Sequence, residues 1–404
     1  MRRVKLHKPS ALSRRDSGPK FSLSLVHDVN WALVGVVGVL LAYGSVVVAS
    51  AVSNKDAAAG LMARQYFGMG LGVVLMLFFF LVDHRRWRDL AWPLFAFDAF
   101  LILSPIVPFL GDTAKGATSW LQIGGVRLFQ PSEPAKLVTI IFLAAIISEY
   151  GGRISSVREY VKLAGISFVP LILILMQPDL GTGMVFVAVA LGMLWAGGAK
   201  LRWILTTVVI GLTLASALLW VDGFIDQRAG EDKLIKDYQK DRLLVFLDNE
   251  RDPKGAGYNL KQSKIAIGSG GLTGKGLGSG TQSSLNFLPE RHTDFIFAVL
   301  GEELGLIGAV VLLGLYLALM MVALNIAVSA ESLFGTLAGV GIISMWLFQI
   351  LENIGMTIGL MPITGIPLPF MSYGSSFMIT NLAAIGLLLA IWRQRPYRSN
   401  AQGV

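Results

Sequence analysis

Residues Phe287 to Gly305 read FLPERHTDFIFAVLGEELG, and they sit where a long polar loop runs back into apolar sequence. At the centre is Asp294. Glu290, Arg291 and His292 lie ahead of it, and the six apolar residues Phe295 to Leu300 behind it look like the wall of a membrane-embedded helix. A carboxylate placed there borders both water and lipid. Burial raises the proton affinity of an acid and a neighbouring cation such as Arg291 lowers it, so the position suits a tuned proton acceptor. The other reading is an interfacial helix cap, since Asp is a favoured N-cap and its charge suits the helix dipole.

The rest of the composition fits a membrane setting for this stretch. With 404 residues, 54% hydrophobic and 15% charged, the chain carries more apolar side chain than one water-surrounded core can bury. It reads as an all-α polytopic membrane protein. The formal net charge of +8 does not point to nucleic acid, because the basic residues cluster beside apolar runs, where they set topology and meet anionic headgroups. Cys 0 excludes disulfides, thiolate zinc sites and cysteine nucleophiles. The histidines His7, His27, His84 and His292 are scattered and form no HExxH pattern.

A span takes about 20 apolar residues. On that measure about ten transmembrane helices are predicted, near residues 29–50, 66–82, 90–110, 134–147, 164–176, 183–197, 203–221, 306–328, 333–351 and 377–392. Residues 1–28 hold seven cations and no apolar run, and are expected to remain cytoplasmic without a cleaved signal. Alternation then places Arg85, Arg86, Arg88, Arg153, Arg158, Lys200, Arg202, Arg393, Arg395 and Arg398 inside, while the outer connections hold only Lys55, Arg64, Lys115 and Arg127. Both termini are cytoplasmic on this reading. The domain order is a tail (1–28), spans 1–7 (29–221), one large extracytoplasmic loop between spans 7 and 8 (222–294), spans 8–10 (295–392) and a second tail (393–404). Within the loop, Leu243 to Leu247 form an apolar patch, and Tyr258 to Ile267 mix polar and apolar residues at helical spacing.

Four further polar features stand out. In FQPSEPAKL, Phe129 to Leu137, Ser132 can cap a helix whose first turn holds Glu133, with Lys136 three residues on along the same face. This is either a capped helix start with a local ion pair or a functional pair facing the bundle interior. Gln177 to Gly183 places Asp179 at a Pro/Gly break, read as a tight turn. The run GSGGLTGKGLGSG, Gly268 to Gly280, contains Lys275 but departs from a Walker A loop, and is read as a mobile hinge. Asn353 to Ser376, NIGMTIGLMPITGIPLPFMSYGSS, is irregular backbone at membrane depth, which is permitted where it lines a cavity or packs in protein. Ser283, Ser284, His292 and Asp294 lack the sharp nucleophile turn of a serine hydrolase.

Taken together, the blocks Gly116 to Leu137, Gln177 to Thr182, Gly268 to Asp294, Glu302 to Gly305 and Asn353 to Ser376 resemble, in order, the SEDS family (shape, elongation, division and sporulation). PERHTDF, TGIPLPF and QPDLGT resemble its elongation members more than its division members. The resemblance implies a ten-span bacterial cytoplasmic-membrane enzyme that polymerises lipid II outside the membrane and releases undecaprenyl diphosphate. It implies Asp294 as the essential acid, acting as base on an acceptor hydroxyl, and Glu133 and Lys136 as a paired acid and base. Arg291, Arg242, Lys264 and Lys275 are candidate cations for the diphosphate, and Trp120 and Asp179 complete the candidate substrate-binding residues. No cofactor is required on this reading, although a divalent cation, Mg or Mn, can share the diphosphate. The implied partner is a class B penicillin-binding transpeptidase. A lipid II flippase and an inactive scaffold are the competing readings.

Overall fold

The computed structural model describes residues 28–396, apart from 54–56, 108–110, 115–116, 125, 178, 230–239, 241, 243–244, 247, 249–251, 254 and 286. Residues 1–27 and 397–404, most of the two predicted tails, lie outside the described residues, as do Lys55, Lys115, Pro178 and most of the Leu243–Leu247 patch. Each predicted apolar stretch falls on helix. They are α1 (Trp31–Val52), α2 (Ala58–Leu81), the short α3 (His84–Asp89), α4 (Ala91–Leu103), α5 (Ser132–Ser148), α6 (Val157–Ser167), α7 (Val169–Leu175), α8 (Leu180–Ala196) and α9 (Leu201–Ala229). After these come α10 (Ala256–Gly270), α11 (Thr281–Ser284), α12 (Ile296–Val328), α13 (Leu333–Ile358) and α14 (Ser375–Arg393). Among the described residues, six helices are long and apolar enough to cross a membrane, and the chain is a polytopic membrane protein.

Three boundaries differ from the expectation for physical reasons. The predicted fifth span is split between α6 and α7 around Phe168, because Pro170 cannot sit in a helix interior. Pro105 ends the third in a short 3-10 turn. The eighth begins at Ile296, ten residues before Leu306, and is interrupted where Gly305 takes φ 63°. Glu302 and Glu303 had masked that earlier start as a polar border.

The all-α reading needs correction. Strands β1 (Gly111–Ala114), β2 (Ala117–Ile123) and β3 (Val126–Phe129) form an antiparallel meander between α4 and α5. A Gly-Gly pair in the sequence and the alternation of Leu121, Gln122 and Ile123 were the available signals, with Gly124 in the left-handed region at φ 60°. Ion pairing of Arg127 with Asp112 ties β3 to β1.

Buried aliphatic residues of α1, α5, α8, α12, α13 and α14 form one apolar core. A smaller cluster joins the polar loop to it: Val245, Leu260, Ala266, Leu288, Phe295, Ala298, Met356 and Ile363. Close approach of α13 to α5 depends on Gly341, where a Cβ would lie 2.7 Å from Ile140. Packing therefore brings the first turn of α5, the N-terminus of α8, the start of α12 and the end of α13 around the irregular segment 359–374.

Candidate functional site

Asp294 stands two residues ahead of α12 and is buried. The cap reading does not hold, because Phe295 occupies the N-cap position and no side chain caps this helix. What holds the carboxylate in place is the backbone around it. Three consecutive carbonyls are gripped by the Asn353–Tyr373 region: the Tyr373 amide donates to His292 O at 2.9 Å, Ser372 Oγ to Thr293 O at 2.7 Å and Asn353 Nδ2 to Asp294 O at 2.8 Å. Asn353 also donates to Ile366 O at 2.7 Å, tying the end of α13 to both chains at once. Satisfying buried carbonyls in this way leaves the aspartate side chain as the part of the motif facing the turn at Thr364–Gly365.

That turn carries the second charged group of the site. Arg242 donates through its guanidinium to Thr364 O at 3.3 Å, and the Ile363 amide donates to Arg242 O at 3.4 Å, so the loop is stitched to the irregular segment. Gly365, at φ 77°, sits between the carboxylate and the cation: a Cβ there would lie 3.2 Å from Asp294 Oδ2 and 3.8 Å from the Arg242 guanidinium. Glycine is required for both reasons. Irregular backbone at this depth is also held by Phe370, a non-glycine residue at φ 63° whose ring packs on Trp346 at 5.6 Å. Tyr316 donates to Pro369 O at 2.7 Å on the same stretch.

Glu133 and Lys136 form a second buried group. Lys136 Nζ lies 2.9 Å from Glu133 Oε1, with both side chains almost wholly buried, and 5.3 Å from the centre of the Phe377 ring. The expected cap by Ser132 is not made. Pro131 takes the N-cap position, and Ser132 Oγ is buried without a hydrogen-bond partner among the described residues, as is Glu133 Oε2. The Gln130 amide donates to Ser376 Oγ at 3.2 Å, so the pair borders the far end of the segment that carries Gly365.

The remaining candidates are placed differently. Arg291 is fully buried and donates from Nε to Ala51 O at 2.6 Å, anchoring the loop to the end of α1; burial pushes its guanidinium below the usual range. Lys275 donates to Glu302 Oε1 at 2.7 Å and to Thr281 Oγ1 at 2.8 Å, so it serves the glycine-rich loop rather than the turn at Gly365. That loop is not a hinge. The amides of Lys275 and Gly276 donate to the carbonyls of Glu302 and Glu303, and those of Leu306 and Ile307 to Gly271 and Leu272. Asp179 caps α8, accepting from the Thr182 amide at 3.0 Å and its hydroxyl at 2.9 Å. Lys264, on α10, lies against the left-handed C-cap of α13, where a Cβ on Gly359 would meet its Nζ at 2.5 Å. Trp120 is half-buried on β2 opposite Asp112. Two neighbours of the site were not singled out from sequence: Glu352, buried at the end of α13, and Thr364, whose hydroxyl donates to its Oε1. The preceding LFQI run, which reads as plain apolar helix, hid Glu352.

The family model FTSW_RODA_SPOVE, described as a cell cycle protein, matches residues 25–397. The chain is 40% identical over 363 residues to the peptidoglycan glycosyltransferase MrdB of Escherichia coli K12, covering 90% of this chain and 93% of that protein. It is 39% identical to stage V sporulation protein E of Bacillus subtilis, with 83% and 87% covered. Among solved structures it is similar to a chain of a peptidoglycan synthase complex described as coordinating polymerization and crosslinking, with TM-score 0.76, 32% identity and 92% and 99% covered. It is also similar to the rod shape determining protein RodA of Thermus thermophilus, with TM-score 0.66, 30% identity and 91% and 97% covered.

Proposed function

The chain belongs to the FtsW/RodA/SpoVE family, the SEDS proteins, as a RodA-like member, and from that premise we propose how its buried acid performs the family's reaction. It is a peptidoglycan glycosyltransferase of the elongation type, polymerising glycan in the membrane. The substrate is lipid II and Asp294 is the general base. The acceptor sugar hydroxyl attacks the anomeric carbon of the lipid-linked donor, its proton passes to Asp294, and the bond to the diphosphate breaks with undecaprenyl diphosphate as leaving group. Arg242, on the other side of Gly365, is the cation that stabilises charge developing on that diphosphate. Glu133 and Lys136, buried in the first turn of α5 beside the far end of the irregular segment, act as the paired acid and base of the reaction. A single observation carries this reading: the grip on the carbonyls of His292, Thr293 and Asp294, which fixes one carboxylate beside one arginine at a glycine turn.

A divalent cation suits this donor set. Mg²⁺ or Mn²⁺ takes one or two carboxylates together with phosphate oxygens, and Asp294 with the substrate diphosphate offers that combination. Such an ion would neutralise the leaving group. The site faces the outside of the bacterial cytoplasmic membrane, with ten spans and both termini inside, and the partner is a class B penicillin-binding transpeptidase that crosslinks the new strand. The structural similarity to a chain of a polymerising and crosslinking complex supports that partner.

The test is polymerisation of purified lipid II by Asp294→Asn. The variant is expected to fold, because Asn matches Asp in size and keeps the backbone grip on residues 292–294, and to form no glycan chains. Wild-type rates in that assay would remove Asp294 as the base, whereas lipid II translocation that survives Asp294→Asn in a protein making no polymer at any stage would replace this reading with the flippase one.

A further inference from the structure

Two adjacent residues at the end of α13 reach opposite halves of the site. Asn353 holds the Asp294 carbonyl, and Glu352 accepts the hydroxyl of Thr364, whose own carbonyl receives Arg242. Glu352 is 2% exposed, so it is not a helix-end residue reaching for water. Its carboxylate also lies within electrostatic reach of Asp294. A hydrogen bond between groups this deeply buried is costly to leave unmade, since neither partner can turn to water instead. Backbone bonds hold the residues on either side of the Thr364–Gly365 turn, Ile363 to Arg242 O and Ile366 O to Asn353, while Glu352 holds the Thr364 side chain within it and Gly365, at φ 77°, contributes none. Movement of that turn would carry the Thr364 carbonyl, and with it the Arg242 guanidinium, away from Asp294.

We propose that Glu352 is a positioning residue for the polymerase reaction: bonded to Thr364, it acts as a strut that sets the distance between the Arg242 cation and the Asp294 base. This rests on the reading of Asp294 and Arg242 given above. Because Arg242 acts on charge that appears as the diphosphate departs, loss of the strut falls on kcat rather than on KM.

Four variants test it on the full-length protein in detergent: Glu352→Ala, Thr364→Val, the two combined, and Glu352→Gln, which retains an acceptor oxygen. Lipid II polymerisation is expected to fall about tenfold in kcat for Glu352→Ala and for Thr364→Val, with KM unchanged. The double variant is no worse than either single one, because one bond is lost in all three. Glu352→Gln, which keeps an oxygen to accept the Thr364 hydroxyl, recovers to within about threefold of wild type. Amide hydrogen exchange over 361–370 speeds up in Glu352→Ala and Thr364→Val but not in Glu352→Gln. Unchanged exchange in Glu352→Ala, additive losses in the double variant, or lowered melting temperature with intact kcat would each overturn the proposal. The exchange measurement does not depend on activity. A wild-type protein that makes no polymer therefore counts against the reading of the site, while exchange still decides the strut.

Discussion

Lys136 and Glu133 show what a buried charge costs and when it is kept. Their side chains are 3% and 5% exposed and the ammonium lies 2.9 Å from one carboxylate oxygen. Removing one partner strands the other charge, and such losses run to about 3–5 kcal/mol, whereas replacing both with apolar or neutral side chains of similar volume is often neutral. Lys136→Met is therefore expected to lower stability by about 3–5 kcal/mol in chemical denaturation. Glu133→Gln with Lys136→Met should recover most of that loss. If the pair also serves the reaction, the recovered double variant remains inactive on lipid II. A stable and active double variant would make the pair purely structural. At this scale their burial was legible, because Asp294, Glu133 and Lys136 are charges set against apolar sequence and all three are buried. Arg291 and Lys275 were equally visible, yet the sequence does not say which way a cation turns, and both turn to backbone or carboxylate partners elsewhere. Glu352 was missed because its partner lies twelve positions on, across a turn with no periodicity.

Between elements, the decisive contact is the clasp between the end of α10 and the kinked start of α12. A Cβ on Gly270 or Gly274 would collide with the carbonyls of Gly301 and Glu303, and one on Gly305 with the backbone of Leu272 and Gly274. Glycine lets the two backbones meet. Glu302 closes the clasp by accepting from Lys275 Nζ, from the Thr281 amide at 2.8 Å and from the Gln282 amide at 3.1 Å, while Glu303 accepts from Ser50 Oγ at 2.5 Å. The clasp lies one helical stretch beyond Asp294 and fixes where α12 starts. Gly274→Ala must adopt φ 79° with a side chain and displace the Glu303 carbonyl as well, so a loss of about 2–3 kcal/mol is expected in thermal or chemical unfolding. Gly278→Ala, at φ 73° but with open space around its Cβ, should cost less than half as much. Equal losses for the two would mean that strain, and not close approach, governs the loop. Glycine density in the sequence marked a special backbone here. It did not reveal the partner, since the helix that Gly274 touches begins only at Ile296.

Across the whole molecule, the helices sort into a centre and a periphery, and the two ends carry different charge. Within the apolar window of α14, 83% of residues are buried, against 6% for α9, so α14 is a core helix and α9 meets its surroundings on nearly every side. The ends differ as well. Asp294, the sheet, the glycine clasp and the α1 terminus at Ala51 share one end. Arg85 paired with Glu331 at 2.6 Å, the α3 cations Arg86 and Arg88, and Arg393 donating to Leu81 O mark the other. The positive-inside bias assigns the second end to the cytoplasm. The bias in the sequence predicts an orientation; the meander of β1 to β3 was not foreseen, because four- to seven-residue strands leave little periodic signal. Orientation can be tested directly because the chain has Cys 0 and any single cysteine introduced is unique. Leu285→Cys, beside the clasp and 62% exposed, should react with a membrane-impermeant maleimide in intact cells. Arg88→Cys, exposed at the opposite end, should react only after permeabilisation. Labelling of Arg88→Cys in intact cells would place the Asp294 carboxylate on the cytoplasmic face, where an exported lipid-linked sugar cannot reach it.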